Sequence, residues 1–431
     1  MNELLTKGIG HTEFKDSPVG KIPVGWEVKK LSDLVSVDRE SLKNSTDPDY
    51  EFYYIDIASV RTGVIDKPSN KIKFYGSPSR AKRVVRQNDV LISTVRPNLK
   101  AFAYVKDEFV DCICSTGFSV LRVNEYNDGR FIFNSILSDG VTKQIDALVA
   151  GSNYPAINSS DVKELSIVRP PLPEQQKIAS ILTSVDKVIE KTQSQINKLQ
   201  DLKKGTMNEL LTKGIGHTEF KDSPVGKIPK EWEVKKFGEI ARVQGGYAFK
   251  SKDAQESGAR WLKIANVGIG KVVWKDKSHL PPEFLTEHRD FVLRTGDIIV
   301  ALTRPILNHK LKIAMVDTPD SGALLNQRVG RILSKTDVGV RFLYYLLKSE
   351  YSVGFIEKVI FGSDPPNISG QQIESINFAI PSIQEQQKIA SILSSMDSHI
   401  EEKQRKLQQT QSLKKSLMQD LLTGKVRVTV N

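Results

Sequence analysis

Four residues of this chain, Asp364-Pro365-Pro366-Asn367, come within one side chain of a base-modifying site. Adenine methyltransferases use a D/N/S-P-P-aromatic loop, whose polar atoms hold the exocyclic amine while the ring stacks the flipped base. Here Asn367 stands where the aromatic belongs. The counterpart Asn153-Tyr154-Pro155-Ala156 is no closer, and no glycine-rich cofactor loop accompanies either tetrad, so Asp364–Asn367 reads as a turn. A phosphate-cradling GxxxxGK[ST] loop is absent too, because Gly20-Lys21 and Gly226-Lys227 lead into Ile-Pro rather than a helix. The six histidines are scattered, with no pair at ligand spacing. Cys112 and Cys114 sit in one strand-like run, and their spacing suits neither a disulfide framework nor a zinc site. They are expected to be buried or idle thiols. No catalytic residue and no metal site is expected, so binding must carry function.

Composition narrows the binding class. A formal net charge of +11 favours an anionic partner, and 39% hydrophobic with 26% charged residues is ordinary for a soluble protein. No apolar run approaches the roughly 20 residues of a membrane helix. The start MNELLTKG lacks a basic n-region followed by an apolar core, so a cytoplasmic location without a membrane role is expected. At 431 residues, two to four domains are expected.

The elements that must position a binding surface are announced by repetition. Residues 1–23, MNELLTKGIGHTEFKDSPVGKIP, return letter for letter at 207–229, and EQQKIASIL at 174–182 returns at 385–393. The chain is two copies of one unit of roughly 210 residues, far above the period of a solenoid. After the breaker run at 169–173, apolar residues at Ile178, Ile181, Leu182, Val185, Val188, Ile189, Ile196, Leu199, Leu202, Leu210 and Leu211 recur at helical spacing. At 1.5 Å per residue, a helix over 174–212 spans about 58 Å. A second stripe follows Pro381, including Ile389, Ile392, Leu393, Met396, Ile400, Leu407, Leu413, Leu417, Leu421 and Leu422. Such helices overhang a domain of this size, which favours an antiparallel pair over two helices each lying on its own domain. Thr192, Gln195, Lys403 and Lys406 weaken the seam near mid-length, a device that fixes register at a cost in stability.

The predicted divisions are 1–23, a copy of the helix tail and linker; 24–170, a first strand-rich domain; 171–213, the first helix; 214–229, a linker; 230–380, a second strand-rich domain; 381–424, the second helix; and 425–431, a tail. The fold class is α/β (α+β), with two globular strand-rich domains separated by two long antiparallel coiled-coil helices in a circular, pseudo-twofold repeat. The two domains match in pattern rather than letter. RQNDVLISTVRP at 86–97 answers RTGDIIVALTRP at 294–305, and GSNYPAIN at 151–158 answers GSDPPNIS at 362–369.

These features resemble the specificity subunit of a type I restriction–modification system, over essentially the whole chain. The twin EQQKIASIL starts, the LLT helix ends, the paired D-[VI]-[LI]…R-P segments and the circular repeat carry the likeness. The resemblance implies that each strand-rich domain is a target recognition domain reading one half of a split double-stranded DNA site. It implies that the helices set the spacing and dock two methyltransferase (modification) subunits, with two restriction (endonuclease) subunits completing the complex. The chain itself is then no enzyme and holds no cofactor; S-adenosylmethionine, ATP and Mg2+ belong to the partners. The two domains differ, so the target is expected to be asymmetric, and the family implies a gap of about 5–8 unread base pairs, within one duplex turn. Self-association of the free subunit through its exposed stripes is left open by the sequence.

Given that reading, bases call for Arg or Lys on guanine and Asn or Gln on adenine, while phosphates call for Lys, Arg, Ser and backbone amides. Arg96, Asn98 and Lys100 follow the first R-P strand; Arg304, Asn308, His309 and Lys310 follow the second. Against DNA contact stands a proline-ended loop whose arginine pairs with a carboxylate. Arg80, Lys82 and Arg83 are candidate phosphate contacts, or a merely solvated face. Ser152, Asn153, Tyr154 and Ser363 lie where glycine allows close approach to a duplex. Tyr247 and Lys250 form a further candidate, although aromatic pairs such as Tyr247 with Phe249 commonly belong to a core. For methyltransferase docking, Gln175, Gln176, Lys177, Gln386, Gln387 and Lys388 are repeated and are read as exposed residues not needed by a helix seam; preserved mutual packing would explain them equally. A structural adaptor spacing two protein-binding domains is the competing class, separable by salt-dependent DNA binding.

Overall fold

The computed structural model describes residues 13–109, 111–151, 153–275 and 278–430. Its principal helices are α1 (Gly129–Ile136), α2 (Asp139–Val149), α3 (Leu172–Thr212), α4 (Val340–Lys348), α5 (Glu350–Ile360) and α6 (Ile383–Leu422). The chain divides into two compact units: residues 195–404 form one, and the other joins residues 1–194 to 405–431. The plan is circular in that the end of the chain returns to the first unit, while residues 1–12 of the expected helix-tail copy lie outside the described residues. Each unit holds one domain, the start of one long helix and the end of the other.

In unit 1 the strand Val90–Ser93 runs between Phe102–Tyr104 and Phe118–Val123, with Val35–Val37 beyond, all antiparallel. A second sheet orders Lys71–Lys73, Glu51–Ile55, Cys112–Ser115 and Ala81–Val85; its central pair is parallel. Side chains alternate along a strand, so Leu91 enters the core between the sheets while Val90 and Ile92 face α1, α2 and the helix ends. Cys112 and Cys114 are buried in the inter-sheet core, and burial raises the Cys112 thiol to about 11. Unit 2 repeats this: Ala241–Gly245, Val329–Ser334, Ile298–Ala301 and Ile313–Met315 form the antiparallel sheet, with Ile299 turned to one core and Ile298 and Val300 to the other.

The aspartate shared by the two R-P segments is a turn lock. Asp89 accepts the Arg86 N–H at 2.8 Å and pairs with Arg122, and Asp297 accepts the Arg294 N–H at 2.8 Å and pairs with Arg331.

Helix α3 starts at Leu172, so Pro173 lies inside its first turn, where a missing N–H costs nothing. The seam is antiparallel within each unit. In unit 1, Asp186 of α3 pairs with Lys414 of α6 at 2.6 Å, while Ile178 and Leu182 share a core with Leu421 and Leu422. In unit 2, Lys203 pairs with Asp397 and Lys403 donates to Gln195 at 3.1 Å. The apolar stripes are not buried throughout: Val188, Leu202, Ile392 and Leu413 are exposed. Within each unit the start of one long helix and the end of the other both pack on the domain, so burial follows that surface as well as the seam.

One feature of unit 2 has no equal in unit 1. Lys348 donates to the Tyr344 hydroxyl at 3.1 Å and is packed close to Lys203, where unit 1 has Leu137 before the same helix cap. Burial holds both ammonium groups below their ordinary 10.5, and for Lys203 the neighbouring Lys348 charge adds to it. A lysine held below its ordinary value sheds its proton first in the folded state, so stability rises with pH toward that value. Lys348→Leu is expected to stabilise unit 2 by about 1 kcal/mol at neutral pH. That gain should shrink as pH approaches 10.5. Melting curves at several pH values would read this, and a variant less stable than wild type at pH 7.5 would refute it.

Candidate nucleic-acid interface

The two candidate segments singled out separately in the sequence meet in space, and they do so in both units. In unit 1 the strand Val90–Ser93 runs out into Val95, which bridges to Ala156. The Arg96 N–H donates to the Pro155 carbonyl at 2.8 Å, and the Ile157 N–H donates back to Thr94 at 2.9 Å. In unit 2 Thr303 bridges to Asn367, the Arg304 N–H donates to the Pro366 carbonyl at 2.7 Å, and the Ile368 N–H donates to Leu302 at 2.9 Å. The Asp364–Asn367 tetrad is therefore the turn that clamps Arg304.

Clamping holds each arginine in the left-handed region, with φ 48° at both Arg96 and Arg304. A non-glycine residue there costs about 1–3 kcal/mol and persists only where its surroundings impose it. Both arginines are exposed. The Arg96 guanidinium stands 5.8 Å from the centre of the Tyr154 ring. Beyond the arginines the loops differ. Pro97–Leu99 is a 3-10 turn ending at Lys100, whose carbonyl accepts from Thr62 Oγ1 at 2.7 Å, and Asn98 is exposed on it. In unit 2, Ile306–Leu307 and Lys310–Leu311 form a hairpin whose tip is Asn308 and His309, both left-handed, with φ 50° and 55°. That is the backbone of a type I′ turn. The His309 ring meets Glu357 of α5 at 2.9 Å, and Lys310 is exposed.

Each loop hangs from a second turn that carries another candidate. In unit 1 the Thr116 N–H donates to Arg80 and the Thr94 N–H donates to Gly117, both at 2.8 Å. Arg80 is exposed on that side. In unit 2 the Leu302 N–H donates to Arg328 and the Tyr247 N–H to Leu325, both at 2.9 Å. Gly246 permits this approach, since a Cβ there would meet the Asn326 and Leu325 carbonyls at 2.3 Å. The Tyr247 ring lies 4.1 Å from His288 and 4.9 Å from Phe249, so it caps an aromatic cluster with one side exposed; Lys250 is exposed nearby in sequence.

Several candidates stand differently from the expectation. Arg83 is committed to Asp38 and only 18% exposed, so it braces the sheet instead of presenting charge. Lys82 is half-buried, its ammonium 4.5 Å from the centre of the Phe74 ring. Ser363 is exposed but its hydroxyl donates back to Ile360 at 2.6 Å; Asn153 and Tyr154 are exposed, and Ser152 lies outside the described residues.

The docking motif needs a correction. Gln175 and Gln386 are buried, because each ties its long helix to the start of a domain helix. Gln175 accepts the Asp128 N–H at 3.0 Å and donates to Pro170 at 2.9 Å; Gln386 donates to Pro381 at 2.9 Å and accepts from Gly339 at 3.4 Å. Gln176, Lys177, Gln387 and Lys388 are exposed. Sequence reasoning also missed Glu174 and Glu385, which accept the indole N–H of Trp26 at 3.1 Å and of Trp232 at 3.0 Å. The available signal was that both members recur: the glutamate opens each EQQKIASIL run and the tryptophan follows each KIP linker. Among the described residues no cluster could hold a metal ion, and no helix is long and apolar enough to cross a membrane.

Two copies of one sheet-and-helix body, each presenting a clamped cationic loop, define a duplicated scaffold of recognition type. Residues 23–201 and 229–411 both match the family described as the type I restriction modification DNA specificity domain. The MjaVIII specificity subunit of Methanocaldococcus jannaschii is 34% identical, over 96% of each chain. The EcoAI specificity subunit of Escherichia coli is 33% identical over 38% of this chain and 28% of its own. The solved structure of a type I system S subunit from M. genitalium covers 92% of this chain and 96% of its own, with a TM-score of 0.58 at 17% identity, which shows the fold. The chain belongs to the type I restriction modification DNA specificity family.

Proposed function

We propose that each unit reads one half of an asymmetric bipartite duplex through its R-P loop, with Arg96 and Arg304 aimed at base edges. The same clamp recurs in two domains of different sequence, and this observation carries the reading. A left-handed arginine is costly, and its backbone is repeated while the loop beyond it varies. A fixed mount with a variable tip is what two readers of different half-sites need. Lys100, Lys310 and Arg80 flank the mounts as phosphate contacts, which position without specifying.

The long helices set the gap between the two half-sites and dock two modification subunits through exposed residues such as Gln176, Lys177, Gln387 and Lys388. Two restriction subunits complete the assembly in the cytoplasm. This chain contributes recognition alone; S-adenosylmethionine, ATP and Mg2+ are bound by its partners. The deciding experiment maps N6-methyladenine genome-wide in cells expressing the chain with its cognate methyltransferase subunit. A single split motif with a constant gap, absent when the chain is omitted, is expected. An active, bound methyltransferase that adds no methylation, together with DNA binding indifferent to salt, would instead favour an adaptor between proteins.

A further inference from the structure

The segment that clamps the reading arginine carries one exposed aromatic in each unit, at different places. In unit 1 it is Tyr154, three residues after Gly151, 65% exposed and facing Arg96. In unit 2 that position is Pro365, and the aromatic is Phe361, one residue before Gly362. Phe361 is 90% exposed, more than any other large hydrophobic side chain among the described residues. A phenyl ring held in water is a standing cost unless a partner covers it.

Local hydrogen bonds define its mounting. Phe361 caps α5 just past its last residue, Gly362 turns the chain with φ 78°, and Ser363 closes the turn by donating its N–H and its hydroxyl to Ile360, at 3.2 and 2.6 Å. One turn earlier on α5, Glu357 meets His309 at the hairpin tip. Exposed Lys310 and Lys358 lie on the same two elements. Exposed Asp364 and half-buried Glu357 are also near in sequence, but the ring stands beside the proposed base-reading loop and between elements that carry exposed lysines, and a duplex is the partner that both features suit.

We propose that Phe361 is a wedge that enters a base step of the half-site read by unit 2 and partly unstacks it. Apolar wedges of this kind kink a duplex and let it wrap more protein. The inference rests on the DNA-reading role of the R-P loops. Unit 1 lacks the wedge, since Ala150 occupies its place, and its Tyr154 instead faces the guanidinium of Arg96.

The test uses the full chain with its methyltransferase subunit and duplexes of the mapped site carrying 2-aminopurine at successive positions. Wild type is expected to raise the fluorescence at one step of the unit 2 half-site. Phe361→Ala should abolish that rise and weaken binding on the order of tenfold, while Phe361→Leu keeps most of both. Unchanged fluorescence and affinity in Phe361→Ala, with Arg304→Ala still relaxing its base pair, would overturn the wedge and leave the reading intact. No effect of either substitution on any duplex would overturn both.

Discussion

Glu385→Ala is expected to lower the stability of unit 2 by about 2–4 kcal/mol, the cost of leaving inward-facing donors without their acceptor. The carboxylate is only 11% exposed and accepts from three partners: the Ile215 N–H at 2.8 Å, the His217 ring at 2.9 Å and the Trp232 indole at 3.0 Å. Removing it strands the Trp232 and His217 donors, which the fold has largely taken out of water, at about 1–3 kcal/mol each, whereas the exposed Ile215 N–H can turn to solvent. The space is equally committed, since a Cβ on Gly214 would meet Glu385 at 2.4 Å and both His217 and Trp232 at 2.7 Å. Glu385→Gln keeps an acceptor and the shape, so it should lose about half as much. Urea unfolding followed by tryptophan fluorescence would show this as an earlier transition assigned to unit 2, because a two-unit chain need not unfold in one step. An unmoved transition would mean that the repeated glutamate serves an outside partner rather than the fold.

That glutamate marks where sequence stops being legible. The long helices and the paired strands are written locally, in apolar spacing of three and four and in the D-[VI]-[LI] runs, so their existence follows from periodicity. Whether a polar residue on such an element faces in or out depends on what arrives from far along the chain. Gln175 looks like a surface residue until Asp128, 47 residues away, offers its N–H. Arg83 looks like a phosphate contact until Asp38 folds against it. Val188 and Leu202 continue the stripe in sequence but leave it in space, because α3 lies on a domain as well as on α6. The left-handed arginines leave no local mark, since proline follows but glycine does not stand in their place; a carbonyl from the Gly-Ser segment imposes the conformation. The repeat made that segment conspicuous and yet did not say what it holds.

Arg304→Ala should therefore test contact rather than fold. The clamp uses the backbone N–H at position 304, which alanine retains, and the arginine side chain is exposed. Loss of a base-reading arginine costs about 1–3 kcal/mol and relaxes one base pair. The methylation map of this variant is expected to keep the gap and the unit 1 half-site unchanged while one position of the other half becomes degenerate. Arg96→Ala should do the converse. Lys310→Ala should weaken binding to all sequences alike and reduce the salt dependence by about one counterion. Arg304→Gly separates the two contributions in one molecule: glycine relieves the backbone strain at φ 48° and should stabilise the loop by about 1 kcal/mol or more, yet lose the same base pair. A map unchanged in Arg304→Ala would show that the clamp mounts something other than a reader, and the variable loop beyond it would then be the place to look.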